Sequence, residues 1–479
     1  MKILVLALIF RAVGSAAAPG VLAGGAADTE GAGSRMRHEK LAAGADRIAR
    51  AYADLGWFSG NVLLAEGGEP FFQQSYGLAR IETGNPNTSA TRFNLGSIAK
   101  HYTAVLVLQQ VERGALSLHD TIDRFEIGLP SPIAGRVTIL HLLRHRAGFR
   151  DIFTPEYTAD SLAYDTLEKK ARILQDRPLL FEPGSDHRYS NYGYIILGLI
   201  LERLTGQSYE QLLTQNIFRP LGLDNSHLHY QAGSATQSTR YTYPLEGVLK
   251  EVGVLEVPGP DGGIESTTAD VLDFYLALFD SDRLLDRQGA AFRAVFDPEA
   301  EKWQAFGGGT GISAAVELRL TDDVEVVVLA NSDELVAERV SGRIVQIIEG
   351  DAHDPVMLPP KHFVYRQYLE LGPERFQAGF RPAYDAAGYD MFIGRALNEV
   401  GMAFVERRSW SQAQDLFRAL IAYFPEAPQA YDSLAFALQS EDRPEDAKRV
   451  FRKALELDPE FRSDYSAIHY RGEHEQDDP

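Results

Sequence analysis

The chain has 479 residues, with 67 acidic against 47 basic side chains, a formal net charge of −20, and 45% hydrophobic residues. That length points to two or three domains, and the charge argues against nucleic acid as the main partner and gives no reason to expect an anionic membrane surface. With no cysteine, thiolate catalysis, disulfides, a Cys-ligated zinc and a lipid-bearing N-terminal cysteine are all excluded.

Lys2 precedes the apolar run ILVLALIF and then a stretch of small residues. This pattern reads as a secretory leader over residues 1–27, too short for stable membrane insertion, and predicts export to a periplasmic or secreted location. Residues 28–40, rich in Gly and Ala, read as a linker. A helical stretch over 41–58 leads into GNVLLAEGGEPFFQQSYG, a hairpin turning at Glu66-Gly67-Gly68-Glu69.

FNLGSIAKHYTA (residues 93–104) then places Ser97 three residues before Lys100. At the first turn of a helix that closes at Gly114, free N–H groups and the dipole favour a developing anion near Ser97. Lys100 lies one turn on, on the same face, and partial desolvation would let its amine act as a base. The plainer alternative is an N-cap serine with a lysine reaching solvent. The stretch alone leaves both open.

Downstream, His141 and His145 have the i,i+4 spacing of metal ligands, but no Glu follows His141, and helix packing is the preferred reading. His101 and His187 flank the motifs as polar neighbours. Tyr189-Ser190-Asn191 stands just before an apolar helix, where a phenol can relay a proton and an amide can hold a carbonyl. The glycine run in QAFGGGTGISAAVEL precedes a strand, so it is no phosphate loop. It reads as a bare strand edge whose N–H groups form half an oxyanion hole. A second hairpin follows, ISAAVELRL and VEVVVLAN about the turn Thr321-Asp322-Asp323. Strands at both ends with helices between predict an α+β domain over 41–355 whose sheet joins the two ends.

From about residue 389 the pattern is helical only. At an offset of 34, Gly401, Phe404, Ala413, Phe417 and Pro425 fall opposite Ala435, Leu438, Ala447, Phe451 and Pro459. This resembles two tetratricopeptide-type repeats at about 394–427 and 428–461, within a helical region over 361–470. Such stacks often bind a protein or peptide partner, and helices in 361–396 or the neighbouring domain are expected to cover the exposed end.

Ser-x-x-Lys, Tyr-x-Asn and a glycine-rich strand, in that order, resemble the serine β-lactamase and penicillin-binding-protein superfamily in its class C-like branch. The likeness also covers FSGNVLLAEGG, VTILHLLRHRAGFRD and GGIESTTADVLDFYLAL, over about residues 45–332. The resemblance implies a β-lactamase/transpeptidase-like antiparallel sheet with a helical subdomain, followed here by the all-α repeats. It implies attack by Ser97, an acyl-enzyme, and proton transfer shared by Lys100 and Tyr189 in either order. Asn191 would hold the substrate carbonyl side, and the oxyanion would lie between the N–H groups of Ser97 and Gly309. No metal or organic cofactor is implied.

The departures from the family pattern lie in the third motif. Phe306 is matched to the place of a Lys or His that would anchor a substrate carboxylate, and Lys302 is the nearest cation. The proline after Gly-Gly-Gly-Thr is missing before Gly311, and the strand expected just upstream is hard to find. These changes favour a small neutral ester or amide as substrate. One alternative is a catalytically impaired binding protein that uses its repeats; another is a β-lactamase or D-alanyl-D-alanine carboxypeptidase.

Overall fold

The computed structural model describes residues 27–463 except 354 and 390. The leader reading therefore lies outside the described residues. No helix among those described is long and apolar enough to cross a membrane. The chain divides into two compact units, Met1–Tyr243 with Leu249–Val356, and Pro244–Val248 with Met357–Pro479.

The first unit is built on a five-stranded antiparallel sheet of β1 (Gly60–Glu66), β2 (Glu69–Tyr76), β3 (Lys302–Gly309), β4 (Ile312–Arg319) and β5 (Val324–Ala330), in the order β2-β1-β5-β4-β3. The central position of β5 explains its composition. VEVVVLA is buried along its whole length, and β-branched side chains fit a strand covered on both faces. Gly60 pairs with Ala330 and Ser313 pairs with the same residue from the other side, so the N-terminal hairpin is stitched into the C-terminal one.

Helices cover both faces of this sheet. α1 (Ala27–Asp54) lies on one side and α2 (Ala99–Glu112), α3 (Asn191–Thr205) and α4 (Thr268–Phe279) on the other, while α5 (Val336–Ile348) packs with α1. Leu63, Ala305, Ala314, Val316, Val327 and Leu329 point into the core shared with α2, α3 and α4. The middle of α2 is buried all round, as its apolar run requires.

Two expectations are corrected. Residues 28–40 are not a linker but part of α1, and Arg37 and His38 both pair with Glu66, the His38 Nε2 at 2.6 Å from its carboxylate. The missing strand is present as β3, which contains the glycine run rather than preceding it. KWQAFGGG lacks a clear apolar alternation, and it is pairing with β4 that makes it a strand.

Among the described residues the second unit holds three helix hairpins, α6 (Pro360–Leu371) with α7 (Pro373–Ala387), α8 (Ile393–Glu406) with α9 (Trp410–Tyr423), and α10 (Pro428–Ser440) with α11 (Pro444–Leu457). α6 packs on α8 and α7 on α9, so the first hairpin covers one end of the pair that carries the 34-residue offset. Tyr368 Oη donates to Asp415 at 2.9 Å across that junction. Leu245, in the short segment assigned to this unit, is buried in the same apolar core.

Candidate active site

The site forms where the edge strand β3 meets the start of α2. Asn94 fixes the approach, its Oδ1 accepting the Gly96 N–H at 2.9 Å and its Nδ2 donating to Glu265 at 2.8 Å. Gly96 takes a left-handed φ of 52°, and a one-turn 3₁₀ segment, Gly96–Ile98, runs into α2. Ser97 is thereby set at the positive end of a buried helix.

Lys100 is only 4% exposed, and its ammonium is fully engaged. Nζ donates to Ser97 Oγ at 3.1 Å, to Asn191 Oδ1 at 2.7 Å and to the Asp261 carbonyl at 2.6 Å, one acceptor for each proton. The Tyr189 phenol donates to Ser97 Oγ at 2.7 Å, and Lys100 Nζ lies 5.0 Å from the Tyr189 ring centroid. Ser97, Lys100, Tyr189 and Asn191 are thus brought together.

Two groups that complete this cluster escaped sequence reasoning. Asp151 accepts the Asn191 N–H through Oδ1 and the Asn191 Nδ2 through Oδ2, both at 3.1 Å, which turns Asn191 Oδ1 toward Lys100. Burial raises the Asp151 carboxyl above the usual carboxylate range, opposed by its own hydrogen bonds and the charge of Lys100. The Asp261 carbonyl is presented by a tight loop in which Gly259 and Gly262 exchange backbone hydrogen bonds. Thr103 Oγ1 ties that loop to α2 through the Pro260 carbonyl at 2.6 Å. Asp151 was in view in HRAGFRD; the Asp261 contact is made by backbone and leaves no compositional signal.

The glycine strand resolves residue by residue. Gly309 pairs with Ile312 across the two-residue turn Thr310-Gly311, so its N–H is spent on the β3–β4 ladder. The Gly308 N–H, one residue back, points off the edge of the sheet, and its nitrogen lies 2.9 Å from where a Cβ on Gly96 would sit. Gly307 packs its Cα directly on Leu95 and Ser97. The N–H left free of the ladder beside Ser97 is therefore that of Gly308, not that of Gly309.

Phe306 faces the other way. Alternation along β3 puts Trp303, Ala305 and Gly307 on the α2 face, and Gln304, Phe306 and Gly308 on the α5 face. Phe306 does not occupy the cation position, and the residue on the Ser97 side is Ala305, which is fully buried. Lys302 pairs with Glu349 at 2.5 Å, well away from Ser97 along the strand. The missing proline needs no compensation, because Thr310 and Gly311, with φ 71°, form the hairpin turn themselves.

Among the histidines, His141 caps its own short helix, its Nδ1 accepting the Thr138 N–H at 3.3 Å. His101 points into an aromatic cluster, its Nδ1 2.7 Å from Tyr275 Oη, and burial pushes its pKa down to about 4. His187 is exposed.

An antiparallel sheet backed by helices, with a Ser-Lys-Tyr cluster between its edge strand and a buried helix, defines a β-lactamase/transpeptidase-like protein. A model of the family described as Beta-lactamase matches residues 45–345, and the chain belongs to the β-lactamase family of serine hydrolases. It is 26% identical over 442 residues to penicillin-binding protein 4* of Bacillus subtilis, covering 84% of this chain and 90% of the relative. Identity to penicillin-binding protein 4 of Amycolatopsis lactamdurans is 33% over 214 residues, 41% of this chain and 53% of that one. The structure of a penicillin-binding protein from Bacillus halodurans superposes with a TM-score of 0.56 at 26% identity, covering 63% of this chain and 99% of the other. The fold is shared with a D-amino acid amidase from Ochrobactrum anthropi, at a TM-score of 0.54 and 21% identity over 65% of this chain and 99% of that one.

Proposed function

We infer that this protein hydrolyses a small neutral ester or amide through an acyl-enzyme on Ser97. The observation that carries this is the pair of proton carriers on one hydroxyl, Lys100 Nζ at 3.1 Å and Tyr189 Oη at 2.7 Å from Ser97 Oγ. The step requires one of the two in its deprotonated form, a free amine or a phenolate; that group takes the Ser97 proton as Oγ attacks the carbonyl carbon and returns it to the departing alcohol or amine. The carbonyl oxygen gains charge between the N–H groups of Ser97 and Gly308, donors that need no reorganisation and contribute about 3 kcal/mol each. Asn191 has its Oδ1 on Lys100 and its Nδ2 on Asp151, so it acts first on the lysine and only secondarily on substrate. Water then attacks the acyl-enzyme by the same proton route in reverse.

The preference for neutral substrates rests on Ala305. It stands on the Ser97 face of β3 two residues before Gly307 and carries no charge to meet a carboxylate. The relatives named for penicillin binding support a β-lactam or D-alanyl peptide as the competing substrate, and the amidase supports a small amide. The helical unit, with three stacked hairpins, supports a protein or peptide partner there.

Active-site labelling tests the reading. A fluorophosphonate is expected to label the protein and a fluorescent penicillin to label it weakly, both lost in Ser97→Ala. Strong penicillin labelling would move the function to β-lactams or cell-wall peptides. No Ser97-dependent labelling by either would leave a binding protein on a hydrolase fold.

A further inference from the structure

Tyr189 sits on an irregular segment between the turn at Gly184 and the start of α3, with no ladder or helix to hold it. A phenol aimed at a hydroxyl needs better than that, since a misplacement of about 1 Å costs about 100-fold in rate. Ser190 Oγ donates to the Arg150 carbonyl at 3.0 Å, and the remaining hold on the residues around Tyr189 centres on one residue of a different element. His145 follows the short helix Ile139–Leu143 and adopts a left-handed φ of 53°, a conformation in which His is among the few non-glycine residues enriched.

From there His145 makes three contacts in succession along the Tyr189 segment. Its carbonyl accepts the Arg188 N–H at 2.9 Å. Its imidazole stacks on the Tyr189 ring, with centroids 4.4 Å apart and planes 29° from parallel. Its Nδ1 accepts the Ser190 N–H at 3.2 Å. The residue before the phenol, the phenol itself and the residue after it are all held by one side chain and its own backbone. The imidazole is in turn backed by Tyr194, at 5.1 Å between centroids, whose Oη is tied to the Leu143 carbonyl at 3.1 Å.

We propose that His145 is the positioning residue for Tyr189, fixing the phenol on Ser97 Oγ by gripping the chain on both sides of it. This rests on the reading of Tyr189 as a proton carrier in acyl transfer. An Nδ1 that accepts must be unprotonated, which makes the ring the Nε2–H tautomer. Burial first, and then the charge of Lys100, hold its pKa down to about 3, so it remains an acceptor across the working range.

The test is a double-mutant cycle on the second-order rate of Ser97 labelling by a fluorophosphonate, with hydrolysis of p-nitrophenyl butyrate alongside. His145→Ala is expected to slow labelling about ten-fold or more in the wild-type background and less than about two-fold in Tyr189→Phe. His145→Phe keeps the stack and His145→Asn keeps an acceptor and the left-handed backbone, and each is expected to recover part of the loss. Equal losses in both backgrounds would mean a structural role only and overturn the proposal, as would a folded His145→Ala with wild-type rates. Should His145→Ala fail to fold by circular dichroism, His145→Asn takes its place in the same cycle. If Tyr189→Phe labels as fast as wild type, the assignment of Tyr189 itself has failed. If Tyr189→Phe is slow but the losses add, only the role of His145 has.

Discussion

Gly307 lies so close to Ser97 that a Cβ on it would fall 3.1 Å from the Ser97 nitrogen and 1.9 Å from the Leu95 carbonyl oxygen. The second distance is impossible for non-bonded atoms, and both partners are backbone, so the strand itself would have to retreat from the nucleophile. Gly307→Ala is therefore expected to slow Ser97 labelling about 100-fold or more. Gly309→Ala is the control, since its Cβ would meet only the Ile312 side chain at 3.4 Å. It is expected to label at close to the wild-type rate. Labelling both variants beside the wild type checks the docking of β3, and an active Gly307→Ala would refute it.

Asp151 and Asn191 supply the second prediction. Because Asp151 accepts from both the Asn191 N–H and Nδ2, only Oδ1 is left to face Lys100. Asp151→Asn keeps the shape but can offer an N–H where an acceptor is needed, leaving a buried donor without a partner. Labelling of Ser97 is expected to fall about ten-fold, with Asp151→Leu lower still because Asn191 is then free to flip. A folded Asp151→Leu that labels normally would show that Lys100 does not depend on how Asn191 is oriented.

The sequence made Ser97, Lys100, Tyr189 and Asn191 legible because they sit in ordered short motifs, and it made both hairpins legible because alternation and turn residues are local. What it hid was set by distant contacts. Whether Gly308 or Gly309 presents its N–H depends on the β3–β4 register, which three identical glycines cannot specify. Phe306 looked like a substituted site residue, yet the pleat sends it to the α5 face. The Gly/Ala stretch before residue 41 has the composition of a linker and becomes helix where Arg37 and His38 meet Glu66. His145 had the spacing of a metal ligand, and the contacts of its ring run to a segment more than forty positions on.

Glu317 predicts how stability varies with pH. It sits on the α5 face of β4, 6% exposed, with Gln304 Nε2 donating at 2.7 Å and Ser341 Oγ at 3.4 Å. Burial pushes its pKa up to about 7, against hydrogen bonds that lower it, with Glu349 raising it and Lys302 lowering it by charge. A carboxyl raised in the fold binds its proton more tightly there than in the unfolded chain. Its contribution is complete below the unfolded value near 4.5 and is lost as pH rises through 7. Glu317→Gln, which cannot ionise, is expected to melt higher than wild type at pH 8 and close to it at pH 5. Other buried carboxyls titrate in both proteins, so the difference between the two melting curves is the quantity to measure. A difference that is the same at both pH values would show that Glu317 is not held neutral.

In the helical unit two effects compete at Gly401, and magnitudes decide between them. Gly401 is an interior residue of α8, where replacement by alanine favours the helix by about 1 kcal/mol. Its Cα, however, carries the ring of Phe417 from α9, and a Cβ would fall 2.4 Å from Cε1. Phe417 is fully buried and has nowhere to move, so overpacking of about 1–3 kcal/mol outweighs the gain in propensity. Gly401→Ala is expected to lower the urea midpoint followed by far-ultraviolet circular dichroism, and Phe417→Ala, by opening a cavity that costs about 3–5 kcal/mol of stability, to lower it further. The decisive variant is Gly401→Ala combined with Phe417→Leu. The smaller side chain vacates the ring's position, so the pair should be more stable than the sum of the single losses allows. Strict additivity would mean that the two helices do not meet at these residues.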